Sequence, residues 1–357
     1  MILNIWKENI MKKIDLRSDT VTLPTEEMYE AIKIAKLGDS GRGDDPTVNE
    51  LEKKAANKLG MEDALLTPSG TMSNLIAMMV HAKRGEGILL GKSAHIYLKE
   101  FASLSYIAGL IPILLEEKKG MINLKELKYF INSKCLSFNP GLVILENTHN
   151  YAGGTIISPE EIYQVSEIAH KNNLPVHIDG ARIFNAAVAI HTNVKEFTKY
   201  IDSICFCLSK GLSAPIGSLL VGKNEFIEKA RPIFNVLGGK MRQAGIIAAP
   251  GIVALEKMVD RLEEDHNNAK LLAKEINLIK GLNIDLSTVQ TNIVMIDVSE
   301  INISSFQFIN LLEEKGGILA LPFDQYIVRM VTHKDISSLD IDYTIERIKK
   351  IINEMNL

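Results

Sequence analysis

Two short, mainly apolar runs, residues 174–179 and 203–208, restrict this chain more than any other feature of its 357 residues. Each has the length of a strand and lacks the strict apolar–polar alternation of a half-exposed one, so each must be covered on both faces. That is the situation of a strand inside a mostly parallel sheet layered with helices, and it makes an α/β fold the expectation. The first run ends in Asp179-Gly180-Ala181-Arg182, and the second passes into Ser209-Lys210-Gly211. Ligands of open α/β sheets collect outside the carboxyl ends of the strands. One acid and one amine are thereby expected on neighbouring strand ends.

The flanking chain follows the same grammar. Residues 25–37 place Met28, Ala31, Ile32 and Ala35 on one helical face before Gly38, and Thr47-Val48-Asn49-Glu50 reads as a capping box opening a helix that stops at Gly60. Residues 141–146 read as a buried strand, Ser158-Pro159-Glu160-Glu161 as the cap of a helix reaching about 173, and 174–179 as the next strand. One long helix is expected over 242–279. After it come strands near 282–286, 292–297 and 326–331, with helices near 304–315 and 336–356. The expected division is a large domain over 14–255, carrying an N-terminal arm, and a smaller α+β domain over 256–357. No repeat, low-complexity segment or Pro/Gly/Ser-rich linker interrupts it.

Charge and cysteine usage narrow the partners. A formal net charge of −4 without a basic stripe argues against nucleic acid, since phosphate neutralisation needs clustered Lys and Arg. A small molecule is the better partner. The longest apolar stretch, residues 107–115, is far short of the roughly 18 to 20 residues a membrane helix needs. Three cysteines, with Cys205 and Cys207 on one side of an expected strand, read as reduced packing residues and fit the cytoplasm. Residues 1–13 lack an apolar core of signal-peptide length and read as a short extension, or an upstream start before Met11.

The acid and the amine point to pyridoxal 5'-phosphate (PLP), whose use as an electron sink needs a lysine for the Schiff base and a carboxylate for the pyridinium nitrogen. Pro68-Ser69-Gly70-Thr71-Met72-Ser73-Asn74 adds an anion site, because a helix start offers free backbone amides and Gly70 admits a close approach. On its own that segment reads first as a plain helix cap. In the order phosphate site, aspartate, lysine, the three parts reinforce one another. Lys210 could be a surface lysine, and Asp179 could cap a helix beginning near Ala181. Arg182 is either a partner of Asp179 or a ligand of the cofactor's phenolic oxygen. His95, in Ser93-Ala94-His95-Ile96-Tyr97, reads as a packed or a functional histidine. None of the eight histidines has a metal-ligand spacing such as HExxH, so no metal is expected. Arg329 lies in an otherwise apolar strand and needs an anion, either a substrate carboxylate or a structural partner.

Taken together, nine segments resemble the low-specificity L-threonine aldolases from about Ile14 to the C-terminus. They are Ile14-Asp15-Leu16-Arg17-Ser18-Asp19-Thr20-Val21-Thr22, Asp44-Asp45-Pro46-Thr47-Val48-Asn49-Glu50, Ser69-Gly70-Thr71-Met72-Ser73-Asn74, Ala94-His95-Ile96, Glu146-Asn147-Thr148-His149-Asn150, His177-Ile178-Asp179-Gly180-Ala181-Arg182, Leu208-Ser209-Lys210-Gly211-Leu212, Met241-Arg242-Gln243-Ala244-Gly245 and Val331-Thr332-His333. The resemblance implies a PLP-dependent enzyme of the aspartate aminotransferase fold (fold type I), a tetramer with active sites shared within dimers. It implies that Lys210 forms the Schiff base, Asp179 pairs with the pyridine nitrogen and Arg182 approaches the phenolic oxygen. Gly70 and Thr71 would hold the phosphate, Arg242 would reach it from the neighbouring subunit, and His95 would stack on the ring. Ser18 and Arg329, with Arg182 nearby, would hold the substrate carboxylate. Three departures stand out: Arg42 where relatives often have Tyr, no histidine in residues 131–142, and Asn235 where relatives often supply a lysine, with Lys240 close by.

The implied reaction is a retro-aldol cleavage of L-threonine, L-allo-threonine and related β-hydroxy-α-amino acids. A base takes the side-chain hydroxyl proton, the Cα–Cβ bond breaks, an aldehyde leaves and glycine remains. His95, His149 and a bound water stand as candidate bases. β-Elimination or transamination on the same scaffold is the alternative within enzymes, and a non-catalytic PLP-binding regulator the alternative outside them. No helix-turn-helix segment accompanies the scaffold to favour the last.

Overall fold

The computed structural model describes residues 13–133 and 136–355, so the readings of residues 1–12 and of Cys135 lie outside the described residues. The chain divides into two compact units: Thr22–Glu263, and Glu264–Leu357 together with the N-terminal segment through Val21. The main sheet of the first is built from β1 (Asp63–Thr67), β2 (Gly87–Gly91), β3 (Ile111–Leu115), β4 (Pro140–Glu146), β5 (Val176–Asp179), β6 (Ser203–Cys207) and β7 (Ser218–Gly222). They form one sheet in the order β1-β7-β6-β5-β4-β2-β3. Only β7 runs antiparallel to its neighbours, and every other pair is parallel. Strands β2, β5, β6 and β7 are buried at every position, as a sheet covered on both faces requires. The expected mostly parallel α/β architecture is what the chain adopts.

Helices of this unit start and stop where local chemistry directs. The helix α1 (Glu26–Ile34) is capped by Thr25, and α2 (Pro46–Leu59) ends at Gly60 in the left-handed conformation that glycine admits most easily. The cap of α2 differs from the expected Thr47: Asp45 accepts the amides of Thr47 and Val48, and Pro46, with its fixed φ, starts the helix two residues sooner. The helix α3 (Gly70–His81) follows β1, and α4 (Pro159–His170) opens on the complete Ser158/Glu161 capping box. The long helix expected over 242–279 is two helices, α5 (Gly245–Lys257) and α6 (Leu262–Ile276). Leu255, Met258, Val259 and Leu262 keep helical spacing and are all buried, so the apolar pattern runs through the break without marking it.

The second unit builds its own core from side chains such as Leu272, Val294, Phe308, Met330 and Ile348. Its sheet has the order β8 (Ile293–Asp297), β10 (Ile327–Val331), β9 (Leu321–Pro322), all antiparallel, with helices Ser305–Gly316 and Ser338–Glu354. Ile14–Asp15 pairs in parallel with Ile318–Leu319, which is why the N-terminal segment groups with this unit and not with the residues that follow it. The expected boundary at 255/256 falls inside α5, and the compact units part at Glu263. No strand forms over 282–286. Asn277 Oδ1 takes the amide of Ile284 and Asp285 Oδ1 that of Ser287, side-chain acceptors that divert the backbone from a ladder. Cys205 and Cys207 are buried free thiols. Among the described residues no helix is long and apolar enough to cross a membrane.

Candidate active site

The register of the central strands sets the site. Glu146 pairs with Asp179 across β4 and β5, and Asp179 with Cys205 across β5 and β6, so three polar residues stand in one row at the carboxyl ends of parallel strands. Asp179 is only 4% exposed. Its Oδ2 accepts from Asn74 Nδ2 at 3.0 Å and its Oδ1 from the Ala181 amide at 3.2 Å. It does not cap the following helix, which starts at Ile183 with Arg182 in the cap position. Gly180 is required here: a Cβ would lie 2.7 Å from the Cys205 carbonyl oxygen, while the Gly180 amide donates to that same oxygen at 2.9 Å. Arg182 is buried.

Lys210 follows β6 in a turn held by its own carbonyl, which accepts from the Ser213 amide at 2.8 Å and the Thr22 hydroxyl at 3.1 Å. At the start of α3, Ser69 Oγ takes the Met72 amide and the helical ladder begins with Ser73 on the Ser69 carbonyl. The ladder leaves the amides of Gly70 and Thr71 to other partners, as the first turn of any helix does. A Cβ at Gly70 would touch Cys207 Sγ at 3.0 Å, so the backbone lies close over β6.

His95 begins a short helix whose first amide donates to Glu146 Oε2 at 2.6 Å. Its Nδ1 lies 3.4 Å from Oε1 of Glu100, a carboxylate that is 2% exposed, and the same Glu100 oxygen accepts from Asn74 Nδ2 at 2.9 Å. Burial opposes charging His95. The Glu100 carboxylate beside it, with Asp179 and Glu146, outweighs burial and raises its pKa above the ordinary value, while the Lys210 ammonium acts the other way. His149 is more deeply enclosed, at 1% exposure, with its Nδ1 accepting from the Ala152 amide and its Nε2 3.5 Å from Glu117. Burial opposes its charge too and is outweighed by Glu146 and Glu117. His95, Glu100 and Asp179 present possible ligand atoms within 4.8 Å of one another, a grouping that no histidine spacing announces.

The remaining positions fall elsewhere. Arg242 is exposed and pairs with Asp39 at 3.3 Å; Arg42 pairs with the same carboxylate at 3.5 Å. A cavity of about 350 Å³ is lined by Ser40, Arg42, Asn49, Arg231, Asn235 and Met241 among others. It holds two of the three departures from the expected pattern and none of the Asp179–Lys210 set. The Lys240 stem covers Gly41. In the second unit Arg329 is buried within β10 and its Nη1 donates to the Arg17 carbonyl at 3.5 Å, while Ser18 accepts the Thr20 amide at 3.2 Å. The acids Glu100 and Glu117 went unremarked in the sequence, and Glu146 was quoted there without a role. Only the interval from His95 to Glu100 across a short helix hinted at the first of them.

The chain matches the family model described as beta-eliminating lyase over residues 15–300. It is 40% identical over 341 residues to low-specificity L-threonine aldolase 1 of Arabidopsis thaliana, covering 94% of this chain and 95% of that protein. To the low specificity L-threonine aldolase of Escherichia coli K12 it is 40% identical over 327 residues, covering 91% and 95%. Its fold is similar to that of the threonine aldolase of Leishmania major, with a TM-score of 0.81 at 15% identity, covering 95% and 99% of the two chains.

Proposed function

The chain belongs to the low-specificity L-threonine aldolases within the beta-eliminating lyase family, and from that membership we propose a PLP-dependent aldehyde-lyase that cleaves L-threonine and L-allo-threonine to glycine and acetaldehyde. The observation that carries the reading is the buried Asp179 carboxylate on β5 with Lys210 beyond the end of the adjacent strand β6. PLP fits the donor set around them. An amine, an enclosed carboxylate and a helix start with two backbone amides outside the ladder match its aldehyde, its ring nitrogen and its phosphate. When bound, the cofactor supplies an imine linkage and a conjugated ring that takes up the electron pair left at Cα.

The chain's own residues take the other roles. Lys210 Nζ would hold the cofactor, Asp179 would face the ring nitrogen, Gly70 and Thr71 would bind the phosphate, and Arg182 would approach the phenolic oxygen. Ser18 and Arg329 would fix the substrate carboxylate, which selects the bond to be broken by setting its orientation. His95 would stack on the ring and is the better candidate base: its Nδ1 faces Glu100, which leaves Nε2 to take the substrate hydroxyl proton. His149 is enclosed and its Nδ1 is occupied by the Ala152 amide.

Incubation with each diastereomer tests the reaction. Release of glycine and acetaldehyde is the expected result, while 2-oxobutanoate or another four-carbon keto acid would identify β-elimination or transamination instead. Discrimination between the two diastereomers is expected to be weak, with Arg42→Tyr changing the preference. A second measurement addresses the base. His95 must be neutral to accept a proton, and its pKa is raised, so kcat/KM is expected to rise with pH through a value above the ordinary 6.5. Glu100→Gln should move that limb to lower pH; an unmoved limb would exclude His95.

The same reading takes the protein as a cytoplasmic homotetramer forming glycine, with sites shared within dimers. Phe101 at 97%, Tyr106 at 86% and Val236 at 84% exposure support assembly, since large apolar side chains left in water favour burial against another copy. Arg242 would then serve the neighbour's phosphate.

A further inference from the structure

A row of buried polar side chains runs beneath the acid of the site, on the faces that α3, β5 and β6 turn toward one another. Asn74 and His81 are seven residues apart on α3, so they share a helical face. His177 and Asp179 share one face of β5, and Ser203 and Cys205 share one face of β6. His81 Nε2 lies 2.7 Å from Ser203 Oγ, and Ser203 Oγ lies 2.8 Å from His177 Nδ1. His177 Nε2 lies 3.1 Å from Asn74 Oδ1. Asn74 Nδ2 then donates to Asp179 Oδ2 at 3.0 Å and to Glu100 Oε1 at 2.9 Å, while Cys205 Sγ donates to Asn74 Oδ1 at 3.0 Å. Asn74, His177, Ser203 and Cys205 are each at most 1% exposed.

Partner chemistry fixes the direction of every bond in the row. Two carboxylates face the Asn74 amide nitrogen, so the amide cannot flip, and its oxygen must accept from His177 and Cys205. His177 therefore carries its proton on Nε2. As a neutral ring it accepts at Nδ1 from the Ser203 hydroxyl, whose oxygen in turn accepts from His81 Nε2. Burial agrees, holding His177 down to about 3 and His81 to about 4 and pushing the Cys205 thiol up.

We propose that Asn74 is a positioning residue for Asp179, and that the row His81, Ser203, His177 orients its amide so that the nitrogen faces that carboxylate and Glu100. The proposal rests on the reading of Asp179 as the partner of the cofactor's ring nitrogen. A carboxylate at a strand end could rotate about its Cα–Cβ bond. One oxygen held by an amide from α3, itself held by β5 and β6, cannot.

The test is a titration of the purified apoprotein with PLP, read by visible absorbance, together with the pH dependence of the bound cofactor's band and a thermal melt. Asn74→Ala is expected to weaken PLP binding on the order of tenfold, the scale of one hydrogen bond to a charged group. Asn74→Asp keeps the volume but replaces the donors by a third carboxylate, and is expected to weaken binding at least as much. Both should shift the band's pH dependence, which a loss of packing alone would leave in place. Ser203→Ala, which removes only the hydroxyl feeding His177, should give a smaller change of the same sign. If Asp179→Asn binds PLP like the wild type, the underlying reading fails. If Asp179→Asn is impaired while both Asn74 variants match the wild type in affinity and band, the positioning role is overturned. Should the Asn74 variants not fold, wild-type behaviour of Ser203→Ala overturns it.

Discussion

Lys210→Ala is expected to retain the fold and lose roughly a thousandfold or more of threonine cleavage, about 4 kcal/mol of barrier. The turn that carries the side chain is held through the Lys210 carbonyl by Ser213 and Thr22, so removing the amine leaves the backbone bonds intact. The visible band of the lysine-linked cofactor should disappear with the activity. A variant that keeps both would remove Lys210 from its assigned role. Mixed with Arg242→Ala under demonstrated subunit exchange, Lys210→Ala should recover part of the activity, because one site of a mixed dimer draws its lysine and its arginine from intact copies. A mixture as inactive as its components would argue against shared sites.

Asp179→Asn is expected to cost on the order of 10² to 10³ in kcat, the scale of deleting one preorganised electrostatic partner. The substitution is nearly isosteric, and a carbonyl oxygen can still accept the Ala181 amide. The new amide nitrogen would meet Asn74 Nδ2, so two donors would face each other inside a dry site. Stability should fall as well, and a thermal melt beside the kinetics separates the two effects. Near-normal turnover with bound cofactor would show that the carboxylate is not needed at the ring.

Much of the candidate site's placement in the fold was legible in one dimension. The strand-end positions of Asp179 and Lys210 were readable because each follows an apolar run whose burial is decided by composition, and the carboxyl ends of parallel strands are where open α/β sheets bind ligands. Ser69 and Gly70 were readable as a helix start, and the Ser158/Glu161 capping box as another, because capping is settled within four residues. Where two local signals competed, sequence chose the wrong one: Thr47 offered the familiar pattern, but Asp45 ahead of Pro46 made the bonds.

Other features depended on distant packing. The break between α5 and α6 is invisible to a period that continues through it. Glu100 became the partner of Asn74 only when α3 settled across β5 and β6, and nothing within a few residues of either specifies that meeting. The His177-x-Asp179 and Ser203-x-Cys205 alternations and the seven-residue interval from Asn74 to His81 were present in the chain throughout. The sequence by itself determined which side of each element is polar, since strand and helix periods are properties of the backbone. Which polar sides face one another was decided by the tertiary structure alone, because a buried donor finds its acceptor through the register of strands far apart in the chain.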